Sequence, residues 1–259
     1  MDCLIGQIIL LLKVKVHYSL ILVFSFLACI NSSLVNADIK NGEMEIVQIN
    51  DNVYQHISYN LWKNKFTPSN GLIVLDQKNA YIIDTPWRKE DTKNLVAWIK
   101  QQNLNLRASI STHFHDDRAS GIEYLNKIGV KTVASHRTNQ LLKRENKTPA
   151  TIGFESDNYW FLKDKIHAYY PGAGHSMDNI VVWLAEHKIL VGGCLIRSAE
   201  SRGMGYTADG SVKDWSKSVS KVKKKFSDIK IVFPGHGKLG DQSLLSHTIE
   251  LANKASQKQ

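Results

Sequence analysis

The chain has 259 residues, of which 43% are hydrophobic and 22% charged, and its formal net charge at pH 7 is +9. This composition is typical of a folded globular protein and excludes disordered, collagen-like and coiled-coil chains. The 16 glycines and 5 prolines leave no low-complexity linker, so the length allows one large α/β domain or two small ones.

The first 37 residues differ in composition from the rest of the chain. Lys13 and Lys15 precede an apolar run over residues 18–30, and small residues lead up to Ala37. This pattern predicts a secretory signal peptide, residues 1–37, that directs the remaining domain, residues 38–259, to the periplasm. A membrane anchor is the alternative, but about 13 apolar residues are fewer than the roughly 20 that span a bilayer. The residues around Cys29 also loosely match a bacterial lipoprotein signal, so a lipid anchor is a second alternative.

Charge and cysteine content narrow the function of the mature domain. The lysine-rich run at residues 221–225 falls on a helical pattern without interleaved aromatic residues, which favours a solvated helix face over a nucleic-acid surface.

Cys3 and Cys29 leave with the leader, so Cys194 is the only cysteine left. It cannot form an intramolecular disulfide and is either a buried apolar side chain or a functional thiolate.

Strand and helix patterns alternate along the mature chain, which predicts a single domain. An antiparallel meander opens it, with strands over 44–50, 53–58, 71–75 and 80–84. Helices are then predicted over 90–101, 118–127, 138–146, 212–226 and 242–255. Further strands are predicted over 107–112, 130–134, 166–170, 180–185, 188–192 and 229–233. Two sheets flanked by helices fit this order, whereas a purely parallel doubly wound fold does not.

His113, His115 and Asp117 follow the predicted strand 107–112 at alternate positions. In an extended segment, residues two apart point the same way, so these side chains can converge while Phe114 faces the other side. Imidazole and carboxylate groups are suitable zinc ligands. The spacing favours a metal site, with a polar loop as the alternative.

Three later segments share one design, in which an apolar strand is followed by glycine and then by a strong zinc ligand. The ligands are His175, Cys194 and His236. Glycine lets the backbone turn tightly and approach a buried centre. Six potential ligands together favour a metal site over unrelated core residues. The other histidines lack ligand spacing and are interpreted as surface or core residues: His56, His136, His167, His187 and His247.

Motifs over essentially the whole mature chain resemble those of the class B metallo-β-lactamases, specifically the first subclass, which uses a cysteine ligand. They are Asp84-Thr85-Pro86-Trp87, His113-Phe114-His115-Asp116-Asp117, Gly174-His175-Ser176-Met177-Asp178-Asn179, Gly192-Gly193-Cys194-Leu195-Ile196 and Pro234-Gly235-His236-Gly237. The resemblance implies an α/β fold, an αββα sandwich of two mixed sheets flanked by helices. It also implies two zinc ions per chain, one on His113, His115 and His175 and the other on Asp117, Cys194 and His236.

Two positions distinguish this chain from other groups of the wider superfamily. Thioesterases, lactonases, RNA-processing nucleases and the third β-lactamase subclass usually have histidine directly after the metal-binding aspartate, whereas this chain has Arg118. Here Cys194 supplies the missing ligand. The second subclass replaces the first histidine by asparagine, and His113 is intact.

The activity implied by the resemblance is hydrolysis of the amide bond of penicillins, cephalosporins and carbapenems, which gives antibiotic resistance. A zinc-bound hydroxide would attack the lactam carbonyl without an acyl-enzyme. The alternatives are another metal hydrolase of the same fold, such as a lactonase or thioesterase, or a non-catalytic periplasmic zinc-binding protein. The expected partner is a small β-lactam, with neither nucleic acid nor a stable membrane span, and the expected state is a monomer.

The resemblance also assigns roles around the ligands, so that Asp117, Arg197 and Tyr206 are the predicted catalytic residues. Arg197 stands where many members carry a lysine that binds the substrate carboxylate, which a guanidinium can grip through two hydrogen bonds. Tyr206 stands where an asparagine often polarises the lactam carbonyl. Three roles are open for the tyrosine: its hydroxyl replaces that amide, its ring acts as a spacer, or its ring stacks on the substrate.

Residues 60–67 resemble the family's mobile flap over the active site. Trp62 and Phe66 are expected to be exposed near its tip and to contact substrate, the alternative being that both fold back onto the core. Asp84 is expected to accept a hydrogen bond from a ligand imidazole. Ser120 stands where glycine is common, and the sequence does not indicate its effect.

Overall fold

A seven-stranded mixed sheet forms the first half of the molecule. The computed structural model describes residues 42–258, so the predicted leader and Cys29 lie outside it. The first four strands pair antiparallel and the next three are added in parallel. In order across the sheet they are β1 (Glu45–Asn50), β2 (Val53–Trp62), β3 (Lys65–Asp76), β4 (Asn79–Ile83), β5 (Asn105–Ile110), β6 (Lys131–Ser135) and β7 (Ile152–Phe154).

A five-stranded mixed sheet packs against the first. Its strands are β8 (Asn158–Leu162), β9 (Ile166–Tyr169), β10 (Val181–Leu184), β11 (Ile189–Gly193) and β12 (Ile231–Pro234), in the order β12-β11-β10-β9-β8. All neighbours are antiparallel except β11 and β12, which are parallel. Apolar side chains of the two sheets meet in one core, to which Leu72 and Ile110 contribute from the first sheet and Val182 and Phe233 from the second.

Helices cover the outer faces of both sheets. They are α1 (Lys89–Gln101), α2 (Asp116–Ala119), α3 (Ile122–Lys127), α4 (His136–Arg144), α5 (Val212–Lys225) and α6 (Ser243–Ser256). Leu95 and Ile99 of α1 pack on the first sheet, and Trp215 and Val219 of α5 pack on the second. The predicted αββα sandwich and single domain are therefore confirmed. Across residues 42–258, no helix has the length and apolar character needed to cross a bilayer.

The predicted helix over 118–127 is wrong, because the chain forms two short helices broken at Ser120 and Gly121. Ser120 Oγ donates to the carbonyl oxygens of Pro86 and Trp87, at 2.7 and 2.9 Å. A Cβ on Gly121 would lie 2.5 Å from Thr92 Oγ1. The two residues at the break therefore pack closely against α1 and the segment that leads into it.

Two strands, β7 and β8, were not predicted. β7 has only three residues, too few for a periodic pattern, and β8 is an aromatic-rich run without alternation. The predicted flap also differs from expectation, because β2 and β3 continue through it as a hairpin. Its turn is Lys63-Asn64, with φ values of 49° and 61°.

Candidate metal centre

The six predicted ligands meet where strands of both sheets end. His113 and His115 follow β5, and Asp117 lies in the first turn of α2. The other three follow strands of the second sheet: His175 after β9, Cys194 after β11 and His236 after β12. The expectation that Asp117 continues an extended segment is wrong, because α2 begins at Asp116. The helical turn nevertheless brings its carboxylate to within 3.9 Å of His113 Nε2.

Three imidazoles form the first cluster. His115 Nδ1 lies 3.0 Å from His113 Nε2 and 3.1 Å from His175 Nε2. Tetrahedral zinc, with Zn–N distances near 2.0–2.1 Å, places its ligand nitrogens about 3.3 Å apart, so the spacing fits. Burial and the neighbouring imidazoles lower the pKa of His175 to about 3 and hold the pKa of His113 well below its usual range. Both rings are therefore neutral and offer lone pairs to a metal.

A carboxylate, a thiol and an imidazole form the second cluster. Cys194 Sγ lies 3.3 Å from both Asp117 Oδ2 and His236 Nε2, and those two atoms are 3.2 Å apart. His236 Nδ1 donates to the Pro68 carbonyl oxygen at 2.6 Å, which turns Nε2 toward the cluster. This donor set is one that zinc accepts. A Cβ on Gly235 would lie 2.6 Å from Cys194 Sγ, which explains the glycine beside the ligand.

A fully buried guanidinium contacts the carboxylate and the thiol of the second cluster. Arg118 Nη2 lies 3.0 Å from Asp117 Oδ2 and 3.3 Å from Cys194 Sγ, and it donates to the Gly235 carbonyl oxygen at 2.7 Å. Burial acts to raise the pKa of Asp117, but Arg118 and then His236 outweigh it and hold that pKa well below its usual range. Asp117 is therefore ionised at neutral pH.

Two neighbours of His236 favour its protonated ring. Burial opposes this charge, yet Cys194 and Asp117 raise the pKa of His236 to about 10. A metal at Nε2 takes the place of a proton, so metal binding at the second cluster competes with protonation of His236.

Asp84 does not accept a hydrogen bond from a ligand imidazole, so that expectation is wrong. Its carboxylate accepts from Thr112 N at 2.7 Å and from Thr112 Oγ1 at 2.9 Å, and it lies 3.4 Å from Arg118 Nη1. Burial is the main cause that raises the pKa of Asp84 to about 6. Asp84 therefore holds Thr112, the residue before His113, and pairs with the Arg118 guanidinium beside the second cluster.

A cavity of about 430 Å³ opens beside both clusters. Metal-ligand side chains and aromatic rings share its lining, which includes His115, Asp117, His236, Trp62, Trp87 and Tyr206. A small organic molecule of a few hundred Å³ can therefore contact the ligand side chains and apolar rings together.

Comparisons with known proteins agree with this geometry. No family model matches the chain. A metallo-beta-lactamase type 2 from Pseudomonas aeruginosa is 38% identical over 234 residues, which cover 89% of this chain and 93% of that protein. Among solved structures, VMB-1 superposes with a TM-score of 0.82 at 41% identity, covering 83% of this chain and 99% of its own. DIM-1 metallo-beta-lactamase exposed to ceftazidime superposes with a TM-score of 0.81 at 43% identity, covering 82% of this chain and 98% of its own.

This chain belongs to the metallo-β-lactamases. Cys194 in the second cluster and Arg118 directly after Asp117 place it in the first subclass of class B. Membership and the two donor clusters together establish zinc binding. A further relative, FIM-1 from Pseudomonas aeruginosa, was solved in a mono-zinc form, with a TM-score of 0.78, 33% identity, and coverage of 82% of this chain and 96% of its own.

Three of the four predicted substrate-contact residues of this metallo-β-lactamase line the cavity: Trp62, Arg197 and Tyr206. Trp62 is 45% exposed, so it does not fold back onto the core. Its ring makes an edge contact with the Tyr206 ring, with 6.2 Å between the ring centroids. The centroid of the Tyr206 ring lies 5.6 Å from that of His115. Arg197 Nε donates to the Gly203 carbonyl oxygen at 3.1 Å, which fixes the position of its guanidinium.

Phe66 is placed elsewhere. It is 43% exposed, as expected, but it pairs with Leu61 across the hairpin while Trp62 pairs with Lys65. Successive residues of a strand face opposite sides, so Phe66 and Trp62 lie on opposite faces. Phe66 does not line the cavity, and a Cβ on Gly42 would lie 2.7 Å from its ring.

Two polar contacts at the cavity were missed in the sequence. Asp209 Oδ2 lies 2.9 Å from His115 Nε2, the nitrogen that faces away from the other imidazoles. This bond favours the tautomer that leaves Nδ1 free for a metal. Lys147 lines the cavity and pairs with Asp116 at 2.8 Å. Neither residue stands at a ligand-like spacing, so only the folded structure identifies them.

Proposed function

We propose that this protein hydrolyses the amide bond of β-lactam antibiotics, namely penicillins, cephalosporins and carbapenems. The observation that carries the proposal is the pair of donor clusters beside a cavity large enough for a bicyclic lactam. Family membership supports the same activity. Arg118 in the position of a second-site histidine argues against a lactonase or a thioesterase.

The proposed centre holds two zinc ions per chain, one on each cluster. When bound, zinc supplies a Lewis acid that lowers the pKa of coordinated water toward about 7 and stabilises negative charge that develops on the substrate. Asp117, kept ionised by Arg118, and Cys194 reduce the positive charge of the centre without cancelling it. The site therefore favours an anionic substrate.

The side chains around the cavity orient the substrate. Arg197, held by the Gly203 carbonyl, is the proposed partner of the carboxylate that these antibiotics share, and it makes a charge-assisted pair. Trp62 and Tyr206 cover the apolar part of the substrate and exclude water. No serine lines the cavity in the described part of the chain, which supports hydrolysis without an acyl-enzyme.

The ring of Tyr206 forms part of the cavity wall, between the rings of Trp62 and His115. The neighbouring Asp209 raises the pKa of Tyr206, and the same Asp209 contacts His115. We therefore assign Tyr206 a wall and spacing role, in place of the amide that other members carry. The mature domain, residues 38–259, is proposed to act as a periplasmic monomer after removal of residues 1–37.

Mixing the purified mature protein in turn with a carbapenem, a penicillin and a cephalosporin, and following the absorbance of the lactam ring, tests the proposal. We expect turnover by the zinc-loaded protein, loss of turnover after chelation and recovery when zinc is restored. Lys89→Gln, on the exposed surface of α1, is the control and should retain full turnover. Absence of hydrolysis by zinc-saturated protein for all three antibiotic classes would refute the assigned activity.

A further inference from the structure

A buried histidine of β2 reaches across its neighbouring strand to the end of β4. His56 is 1% exposed, and its Nε2 lies 2.8 Å from the backbone carbonyl oxygen of Asp84. The residue opposite His56 on β3 is Gly71. A Cβ on Gly71 would lie 2.2 Å from His56 Nε2 and 2.7 Å from the Asp84 carbonyl oxygen. Glycine at that position therefore provides the space through which the two groups meet.

The direction of this hydrogen bond is fixed by chemistry. A carbonyl oxygen only accepts, so His56 Nε2 must carry the proton and donate it. Burial lowers the pKa of His56 to about 4, so the ring is neutral at physiological pH. Its Nδ1 has no hydrogen-bond partner among the described residues. The Asp84 carbonyl is thus the one polar partner that residues 42–258 offer to the ring.

Asp84 adopts a backbone conformation that needs such support. Its φ is 63°, in the left-handed region that residues with a Cβ rarely occupy. A strained residue persists where its surroundings hold it from several sides. The Asp84 N–H donates to the Ile110 carbonyl at 2.8 Å, and its own carbonyl accepts from His56. These two bonds fix both peptide groups around the strained Cα.

The conformation of Asp84 determines where its carboxylate points. That carboxylate accepts both hydrogen bonds from Thr112, the residue before His113, and contacts Arg118. Arg118 in turn contacts Asp117 and Cys194 of the second cluster. A continuous set of contacts therefore joins His56 to ligands of the metal centre, although His56 touches none of them.

We propose that His56 is a positioning residue for the metal centre, which acts by holding the Asp84 carbonyl and thereby directing the Asp84 carboxylate toward Thr112 and Arg118. This inference rests on the proposed metal ligands and not on the identity of the substrate. It assigns a task to a histidine whose sequence context shows no ligand spacing, and it explains why glycine stands opposite that histidine.

The test compares variants that differ in the donor at position 56. In His56→Gln, the amide nitrogen can reach the place of Nε2, whereas in His56→Asn the amide is too short to reach the carbonyl. His56→Met removes the donor and keeps an apolar side chain. Ile82→Val, a buried change on β4 in the apolar cluster that packs against α1, is the control for a general loss of stability.

Cobalt(II) titration gives a readout that is independent of catalysis. The thiolate of Cys194 produces a charge-transfer absorption when cobalt occupies the second cluster, and competition with a chelator gives the affinity. We expect His56→Met and His56→Asn to weaken binding at this cluster by about tenfold, in the range of residues that orient metal ligands. His56→Gln should stay within about threefold of the unchanged protein, and Ile82→Val should match it despite a lower melting temperature.

A double variant tests whether the effect passes through Asp84. Once Asp84→Asn has removed the carboxylate, adding His56→Met should cause little further loss of affinity. The proposal is overturned if His56→Met and His56→Asn bind cobalt like Ile82→Val, or if His56→Gln loses as much affinity as His56→Asn. Failure of the unchanged protein to bind cobalt through Cys194 would instead refute the proposed metal ligands.

Discussion

At the scale of single residues, the thiol of Cys194 decides how the second cluster binds metal. It lies between Asp117 and His236, and the Arg118 guanidinium is 3.3 Å from its sulfur. A thiolate is a strong zinc ligand, whereas a serine hydroxyl is a poor one at neutral pH. The three proposed ligands of the imidazole cluster are all ring nitrogens, so this sulfur is not one of them.

We therefore expect Cys194→Ser to weaken zinc binding at the second cluster at least tenfold while the first cluster keeps its metal. Metal analysis after dialysis against graded zinc concentrations measures both occupancies. Ser198→Ala, outside the clusters, serves as a control for handling losses. If the Cys194→Ser protein keeps two zinc ions and full turnover, the thiol is not a ligand.

Arg197 is the second residue whose role can be measured alone. Removal of its charge-assisted pair with the substrate carboxylate should cost about 1.5–3 kcal/mol, which corresponds to a tenfold to hundredfold loss in kcat/KM for Arg197→Ala. Arg197→Lys should recover much of this loss, because it retains the charge. Steady-state kinetics on a carbapenem and a penicillin, with zinc content checked, provide the measurement. Unchanged kcat/KM in Arg197→Ala would place the carboxylate anchor elsewhere.

The meeting of the six proposed ligands was predictable from the sequence, because few residue types bind zinc and each of the six comes after a strand. The role of Asp84 was not predictable, because its side-chain direction depends on a φ of 63° that no spacing rule indicates. The role of Asp209 was hidden for a similar reason. It comes 94 residues after His115 in the chain, and only the fold brings them to 2.9 Å.

At the scale of elements, the β2–β3 hairpin presents different side chains on its two faces. Trp62 faces the cavity and contacts Tyr206, whereas Phe66 lies on the other face. The sequence predicted that both aromatic residues are exposed, and this is confirmed. It could not distinguish their faces, because the register depends on where the turn falls. The turn at Lys63-Asn64 has positive φ at both positions, which suits a two-residue hairpin.

This geometry predicts unequal effects of the two aromatic residues on substrate binding. Trp62→Ala should raise KM about threefold to tenfold, since aromatic contacts contribute about 0.5–1.5 kcal/mol, and it should change kcat less. Phe66→Ala is the matched control on the same hairpin and should leave KM within about twofold. Kinetics on a penicillin and a cephalosporin would check both. Equal increases in KM would indicate that the hairpin turns both rings toward the substrate.

The sequence predicts the helices and strands that carry a clear apolar pattern, and it does not predict boundaries that depend on contacts with distant residues. The apolar stripes of α1 and α5 identified those helices to within a residue at each end. The break between α2 and α3 depends on the bonds of Ser120 to Pro86 and Trp87, which are distant in sequence. Such tertiary contacts override a continuous helical pattern.

At the scale of the whole molecule, the metal centre connects the two sheets. The first sheet supplies His113 and His115, and the second supplies His175, Cys194 and His236. Each cluster therefore joins segments that belong to different layers of the sandwich. In the unfolded chain these segments separate, so metal that binds only the folded arrangement stabilises it by mass action.

Removal of zinc should therefore lower stability as well as activity. If free zinc is about thirty times the dissociation constant of each cluster, binding at the two clusters together contributes about 4 kcal/mol. For a domain of this size, 1 kcal/mol corresponds to about 2–4 °C, so chelation should lower the melting temperature by about 8–16 °C. Thermal unfolding followed by circular dichroism, before chelation, after it and after zinc is restored, makes the measurement. His236→Ala should show a smaller fall in melting temperature on chelation, because only the imidazole cluster still holds an ion that the chelator can remove. A melting temperature that does not respond to chelation would mean that zinc does not hold the two sheets together.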